Sequence, residues 1–179
     1  FDIKKQEGLL RNLMIRTSTT GDIMVLIQFF YEDHKKIELL MNFLKDQFKE
    51  ITSLLYTINN KANNTIYDQK IICYSGLNYI TEKIEDLSFK ISPKSFFQTN
   101  SKQAEVLYKS ARKLAKISKD DVIYDLYTGT GTIAQFVSKK AKKVIGIDSV
   151  PEAIEAANES AKNNRINNCS FFAGDMKNI

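Results

Sequence analysis

The stretch Asp125-Leu126-Tyr127-Thr128-Gly129-Thr130-Gly131-Thr132 puts a carboxylate, hydroxyls and two closely spaced glycines within eight residues. Glycine removes the side chain where a ligand approaches the backbone, and it takes positive φ without steric cost. An apolar run over residues 122–127 leads into this stretch and reads as a strand. Residues 132–140 leave it as a helix, whose first N–H groups have no intrahelical acceptor. Asp148 follows Asp125 by 23 residues, just past a second apolar run over 143–147. An acid there commonly accepts from ribose hydroxyls. Asp175 follows a third run over 169–173, where a side chain can reach the base of a bound nucleoside. Three carboxylates at the ends of three successive strands thus converge on one crevice. Gly129-x-Gly131-x-x-Ala134 also satisfies the dinucleotide fingerprint, which keeps a nicotinamide cofactor open. Asp125 would crowd a pyrophosphate but suits a cofactor bearing an amino acid and a sulfonium, which favours S-adenosyl-L-methionine. Ordinary turn residues and helix caps account for the same pattern without any ligand.

The elements that must hold this crevice are legible as strand–helix alternation. Ser149 is placed to cap a helix with Pro151 in its first turn and Ile154, Ala157 and Ala161 on its buried side. Upstream, Asn100 or Ser101 can cap a helix running to about residue 117. Its apolar stripe is Ala104, Leu107, Tyr108, Ala111, Leu114 and Ala115. Alternation at this spacing predicts an α/β, doubly wound parallel sheet. Residues 1–91 read differently. Strands over 10–17 and 23–31 flank the turn signal Thr19-Thr20-Gly21-Asp22. A helix over 34–51, a strand over 53–58 and short strands near 70–74, 79–84 and 87–91 follow. They predict a small α+β domain with antiparallel strands.

Composition bounds the rest. The 179 residues are 43% hydrophobic and 26% charged, which excludes disordered and collagen-like chains. The longest clearly apolar stretch, 23–27, is far short of the roughly 18 residues a membrane span needs. The opening residues have no apolar signal-peptide core, and the missing initiator Met suggests a processed chain. Two Cys exclude a disulfide framework, and a single His argues against a His-rich metal site. Cys73 and Cys169 both read as small core residues. The net charge of +5 resides in residues 91–179, with 14 basic and 9 acidic side chains, against 12 and 12 in residues 1–90. Seven basic residues from Lys94 to Lys119 face one acid, Glu105, and Lys139, Lys140, Lys142 and Lys143 form a second cluster. Such patches attract polyanions, although a solvated helix face looks the same.

Three segments together carry a family resemblance: Ser92-Pro93-Lys94-Ser95-Phe96-Phe97-Gln98-Thr99-Asn100, then Asp125 to Thr132, then Val144-Ile145-Gly146-Ile147-Asp148. They resemble the RNA (uracil-5-)-methyltransferases, which act on uracil in ribosomal or transfer RNA. The Phe-Phe-Gln-x-Asn segment is the discriminating part. The resemblance implies a Rossmann-like S-adenosyl-L-methionine-dependent methyltransferase fold, truncated, over residues 92–179, behind the small domain of residues 1–91. By motif position it implies cofactor contacts from Gln98, Tyr127, Thr132 at the helix start, Asp148 on the ribose and Asp175 near the adenine. Asp125, Gly129 and Gly131 complete the cofactor-binding set. Thr128 stands where Cys is frequent in the family, and Thr132 where Asn occurs in some members.

The resemblance further implies an RNA partner, ribosomal RNA favoured over tRNA, a cytoplasmic location and no membrane association. The family's chemistry uses a nucleophilic Cys that adds to C6 of uracil and a general base that removes the C5 proton. Both lie downstream of the stretch present here. The chain therefore reads as a fragment with no catalytic residue of its own, inactive by itself. Two alternatives remain at this level: a nicotinamide-dependent oxidoreductase, and an inactive RNA-binding module.

Overall fold

The computed structural model describes residues 1–175 and 177. Packing divides the chain into two units. The first comprises Phe1–Thr81 and Ile91–Lys94; the second comprises Glu82–Lys90 and Ser95–Ile179. A cut after residue 91, as the sequence suggests, would assign residues 82–90 differently. They go with the second unit because Ile84, Leu87 and Phe89 are buried in its core.

In the first unit, β1 (Leu10–Thr17) and β2 (Ile23–Phe29) form the expected antiparallel hairpin. Gly21, with φ of +91°, supplies the left-handed residue of its turn. Helix α1 (His34–Gln47) begins where the Asp33 side chain accepts from the Lys36 N–H at 3.1 Å. It returns the chain to β3 (Ser53–Ile58), which lies parallel to β2. A helical crossover between neighbouring strands permits this parallel pair. The sheet is therefore mixed: the antiparallel expectation holds for β1/β2 and for β3 with β4 (Ile72–Gly76), but not for β2/β3. Val25, Ile27, Phe29 and Leu54 pack beneath Ile37 and Met41 of α1. Cys73 is exposed rather than in the core, because β4 is an edge strand.

The second unit contains the ribbon β5 (Ile80–Ile84) and β6 (Leu87–Ile91), apart from the end residues assigned to the first unit. Helix α2 (Ser101–Leu114) follows, capped by Asn100, whose side chain accepts from the Gln103 N–H at 3.0 Å. Ala104 and Tyr108 are buried, but Leu107 and Leu114 of the expected apolar stripe are exposed. Glu85, at the β5–β6 turn, takes both Arg112 Nη atoms, at 2.8 and 3.1 Å, while the guanidinium lies 4.1 Å from the Phe136 ring centroid. This charge-assisted pair clamps the ribbon to α2.

Strand β7 (Val122–Leu126), helix α3 (Thr132–Ser138), strand β8 (Lys143–Asp148), helix α4 (Pro151–Asn163) and strand β9 (Cys169–Ala173) then alternate as predicted. The strands are parallel in the order β7-β8-β9. The side chains of Val144 and Phe171 pack with Phe136 of α3 and Ala157 of α4 in one core. The opposite face carries Val122, Tyr124, Leu126 and Phe172, all exposed. Ser149 does not cap α4. Val150 occupies that position without a side-chain cap bond, and Asp148 Oδ1 accepts the Val150 N–H at 3.0 Å.

Candidate cofactor-binding turn

The turn between β7 and α3 is shaped by three left-handed residues: Tyr127 (φ +60°), Gly129 (φ +55°) and Gly131 (φ +74°). For Tyr127 this conformation costs roughly 1–2 kcal/mol, so the surrounding bonds must enforce it. Several do. The Thr128 N–H donates to the Ile147 carbonyl at 3.0 Å, and the Gly131 N–H to the Thr128 carbonyl at 2.9 Å. Tyr127 is left 76% exposed.

Asp125 is the internal anchor of the turn. Its Oδ2 accepts the Thr128 hydroxyl at 2.7 Å and the Ala134 N–H at 3.0 Å. Gly131 occupies the N-cap of α3 and has no side chain to offer. The carboxylate from the preceding strand takes over the capping role. Burial pushes Asp125 above the usual carboxylate range, against the pull of these two bonds, and the charge of Asp148 adds to the rise.

Asp148 ties the second strand to the same turn. Its Oδ2 accepts the Gly129 N–H at 2.8 Å, and its backbone carbonyl accepts the Gly174 N–H at 2.9 Å. Asp125, Thr128, Gly129 and Asp148 thus belong to one connected arrangement at the carboxyl ends of β7 and β8. Thr132 opens α3, its hydroxyl 3.4 Å from that of Thr130. Asp175 lies just beyond β9, exposed, with its Oδ1 accepting from the Lys177 N–H at 3.0 Å. Gln98 is exposed in the loop ahead of α2 and stands outside this hydrogen-bonded network.

The two glycines serve different ends. A Cβ at Gly129 would meet nothing within 4 Å, so that side of the backbone faces open space. A Cβ at Gly131 would lie 2.7 Å from Phe171 Cε1 and 3.0 Å from the Ala157 Cβ. Gly131 therefore lacks a side chain to make room for the core. Sequence reasoning also missed the Thr128–Asp125 bond. Gly146 leaves room for it: a Cβ there would come 2.5 Å from Phe171 Cδ1 and 2.8 Å from Thr128 Oγ1, and glycine inside a strand marks such a close approach.

Cys169 is half-buried, and burial raises its thiol to about 11. At neutral pH it is protonated and a poor nucleophile. The basic patch is narrower than the sequence suggests. Lys109 pairs with Glu105, Arg112 with Glu85, and Lys119 Nζ donates to the Lys139 carbonyl at 2.6 Å. Among the described residues, no helix is long and apolar enough to cross a membrane.

The family described as "Methyltransferase domain" matches residues 117–179. A Porphyromonas gingivalis protein named an uncharacterized RNA methyltransferase is 54% identical over 179 residues, covering 100% of this chain and 38% of that protein. A Bacteroides thetaiotaomicron protein of the same name is 52% identical, covering 100% of this chain and 40% of that protein. Among solved structures, the Pyrococcus abyssi tRNA (uracil-54, C5)-methyltransferase in complex with S-adenosyl-L-homocysteine matches with a TM-score of 0.77 and 28% identity. That match covers 96% of this chain and 41% of the other. The M. jannaschii tRNA m1G37 methyltransferase shares the fold, with a TM-score of 0.59 at 16% identity over 99% of this chain and 53% of the other. The chain spans about two fifths of the length of the two bacterial relatives. Over its whole length it is related to a stretch of bacterial RNA methyltransferases, and its second unit carries the methyltransferase-type α/β fold.

Proposed function

We propose that this chain supplies the cofactor-binding part of an S-adenosyl-L-methionine-dependent RNA methyltransferase acting at C5 of uracil. The observation that carries the reading is the Asp125–Thr128–Gly129–Asp148 arrangement with open space on the Gly129 side. The residues present fit the cofactor. Asp148 uses each carboxylate oxygen once toward backbone N–H groups, which leaves lone pairs for ribose hydroxyls. Asp125 accepts through Oδ2, so Oδ1 remains for the amino-acid end of the ligand. The exposed Tyr127 ring offers a packing surface, and Asp175 lies one residue past Gly174, which is tied to Asp148. Gln98 contributes from the segment ahead of α2. Bound S-adenosyl-L-methionine supplies an electrophilic methyl group; this chain's residues bind and orient it.

The uracil-5 specificity rests on the Phe96-Phe97-Gln98-Thr99-Asn100 segment and on the likeness to the tRNA (uracil-54, C5)-methyltransferase. The target base leaves its stack to reach the methyl group. Ribosomal RNA is the favoured substrate over tRNA. The chain alone transfers no methyl group, because its Cys169 thiol is protonated and Cys73 lies on an edge strand of the first unit.

A nicotinamide cofactor is the second reading. The dinucleotide fingerprint uses its second glycine to admit the pyrophosphate, whereas Gly131 faces Phe171 and Ala157. Calorimetry on the full-length protein tests the choice: S-adenosylhomocysteine binds and NADH does not. Binding of NADH alone overturns the proposal. Transfer of labelled methyl to uracil by the full-length protein, and not by this chain alone, tests the rest.

A further inference from the structure

Positive charge collects at the amino ends of β7 and β8, the ends opposite the cofactor turn. Residues 113–121 and 139–143 hold seven basic side chains and two acidic ones. The chain brings the two stretches together. The Lys142 N–H donates to the Asp121 carbonyl at 2.9 Å, and Lys119 Nζ donates to the Lys139 carbonyl at 2.6 Å. The carboxylates nearby are already engaged in part: Asp121 accepts the Ser118 N–H at 2.7 Å, and Asp86, from the β5–β6 turn, pairs with Lys139. Lys116, Lys140, Lys142 and Lys143 are exposed, and none of the four pairs with an acid among the described residues.

The fold itself does not call for Lys142 and Lys143. A cation offsets a helix macrodipole only within the last turn, and α3 ends at Ser138. Lysine on an edge strand blocks stray pairing, but β8 is the central strand, with Lys143 in register with Val122. Clustered like charges repel one another, and an anion relieves that repulsion. Lys143 and Asp148 are the first and last residues of β8, so roughly 17 Å of strand separates the cluster from the cofactor turn. One nucleotide cannot touch both. We infer that Lys140, Lys142 and Lys143 hold the phosphate backbone of the RNA substrate at a point several nucleotides away from the target base. This rests on the RNA methyltransferase reading above, which makes RNA the polyanion at hand. The contact is to phosphate, so it positions the RNA and reads no sequence. It strengthens binding of long RNA and makes that binding more sensitive to salt.

The test compares the full-length protein with its Lys140→Ala, Lys142→Ala, Lys143→Ala triple variant. A fluorescein-labelled RNA hairpin, long enough to reach both ends of β8, is titrated by anisotropy over a series of KCl concentrations. The slope of log affinity against log salt should become shallower by about 2–3 in the variant. A control with Lys4→Ala, Lys5→Ala and Lys35→Ala removes the same charge from exposed positions of the first unit and should change the slope by less than about 1. An unchanged slope in the triple variant overturns the inference. So does an equal change in the control, which would assign the effect to net charge, and so does a parent protein that binds no RNA. Calorimetry with S-adenosylhomocysteine should give the same affinity for variant and parent; loss of that binding in the variant overturns the assignment to phosphate contact. A parent that binds RNA with the expected change of slope but binds no S-adenosylhomocysteine overturns the proposed function and leaves this contact standing.

Discussion

The first unit's sheet buries both faces of its central strands: Val25, Ile27 and Leu54 on the side of α1, and Met24, Leu26 and Leu55 on the other. The second unit's sheet buries the face of Val144 and Phe171; on the other, Ile147 is buried between its neighbours, but Val122, Tyr124, Leu126 and Phe172 are exposed. Parallel sheets occur almost only with both faces covered, whereas antiparallel ones tolerate a wet face. The bare face of β7 has the composition of a buried one. Exposure in this chain therefore does not separate residues that meet solvent from residues built for packing.

Phe171 and Phe172 test this most strongly, being adjacent residues on opposite faces. Phe171→Ala should cost about 3–5 kcal/mol, by loss of burial and opening of a cavity. Phe172→Ala should stay within about 0.5 kcal/mol in this chain. Denaturant melts of both variants measure the gap; similar losses would show that the two faces are equally packed. Next come the two glycines of the turn. Gly131→Ala should cost about 2–5 kcal/mol, from left-handed backbone strain plus collision with Phe171. Gly129→Ala meets only the backbone term, about 1–2 kcal/mol, yet should weaken S-adenosylhomocysteine binding by the full-length protein.

A smaller effect concerns pH. Burial raises Asp125 in the folded state, so its charged form costs stability. Its contribution is present below the ordinary carboxylate range and is lost as pH rises through the raised value. Asp125→Asn should flatten that arm of the melting-midpoint profile; an unchanged slope would show that the carboxylate is not the group titrating. Smallest of all, Lys109→Ala should leave RNA affinity and its salt slope in the full-length protein unchanged, because Lys109 already pairs with Glu105. Lys102→Ala with Lys113→Ala should lower both. The reverse outcome would return the phosphate contact to Lys109.

Much of the second unit was readable because its signals are local. Apolar runs, the Gly129 turn and Pro151 punctuate strand and helix within a few residues of one another. What failed was non-local. The parallel β2/β3 pairing depends on where α1 delivers the chain. The α2 sequence offers apolar residues around much of its circumference and does not say that Tyr108, rather than Leu107, faces the core. Gly131 owes its identity to Phe171, 40 residues away. Ser149 looks like a cap, but Asp148 takes the Val150 N–H, because the acid that faces the turn also lies within reach of the helix entry. At the candidate site the residue types were legible, but the bond from Thr128 to Asp125 was not. Nothing in a threonine's position declares which acceptor it will find.

The Asp125 latch also sets how the turn breathes. Opening it uncovers a buried carboxylate and frees the Ala134 amide in one event, so hydrogen exchange at that amide clocks the β7 side of the turn. The Gly129 amide, held by Asp148, is a second clock for the β8 side. A ligand that binds only the closed turn slows both clocks by the same factor. One that engages Asp148 alone slows Gly129 and leaves Ala134 running.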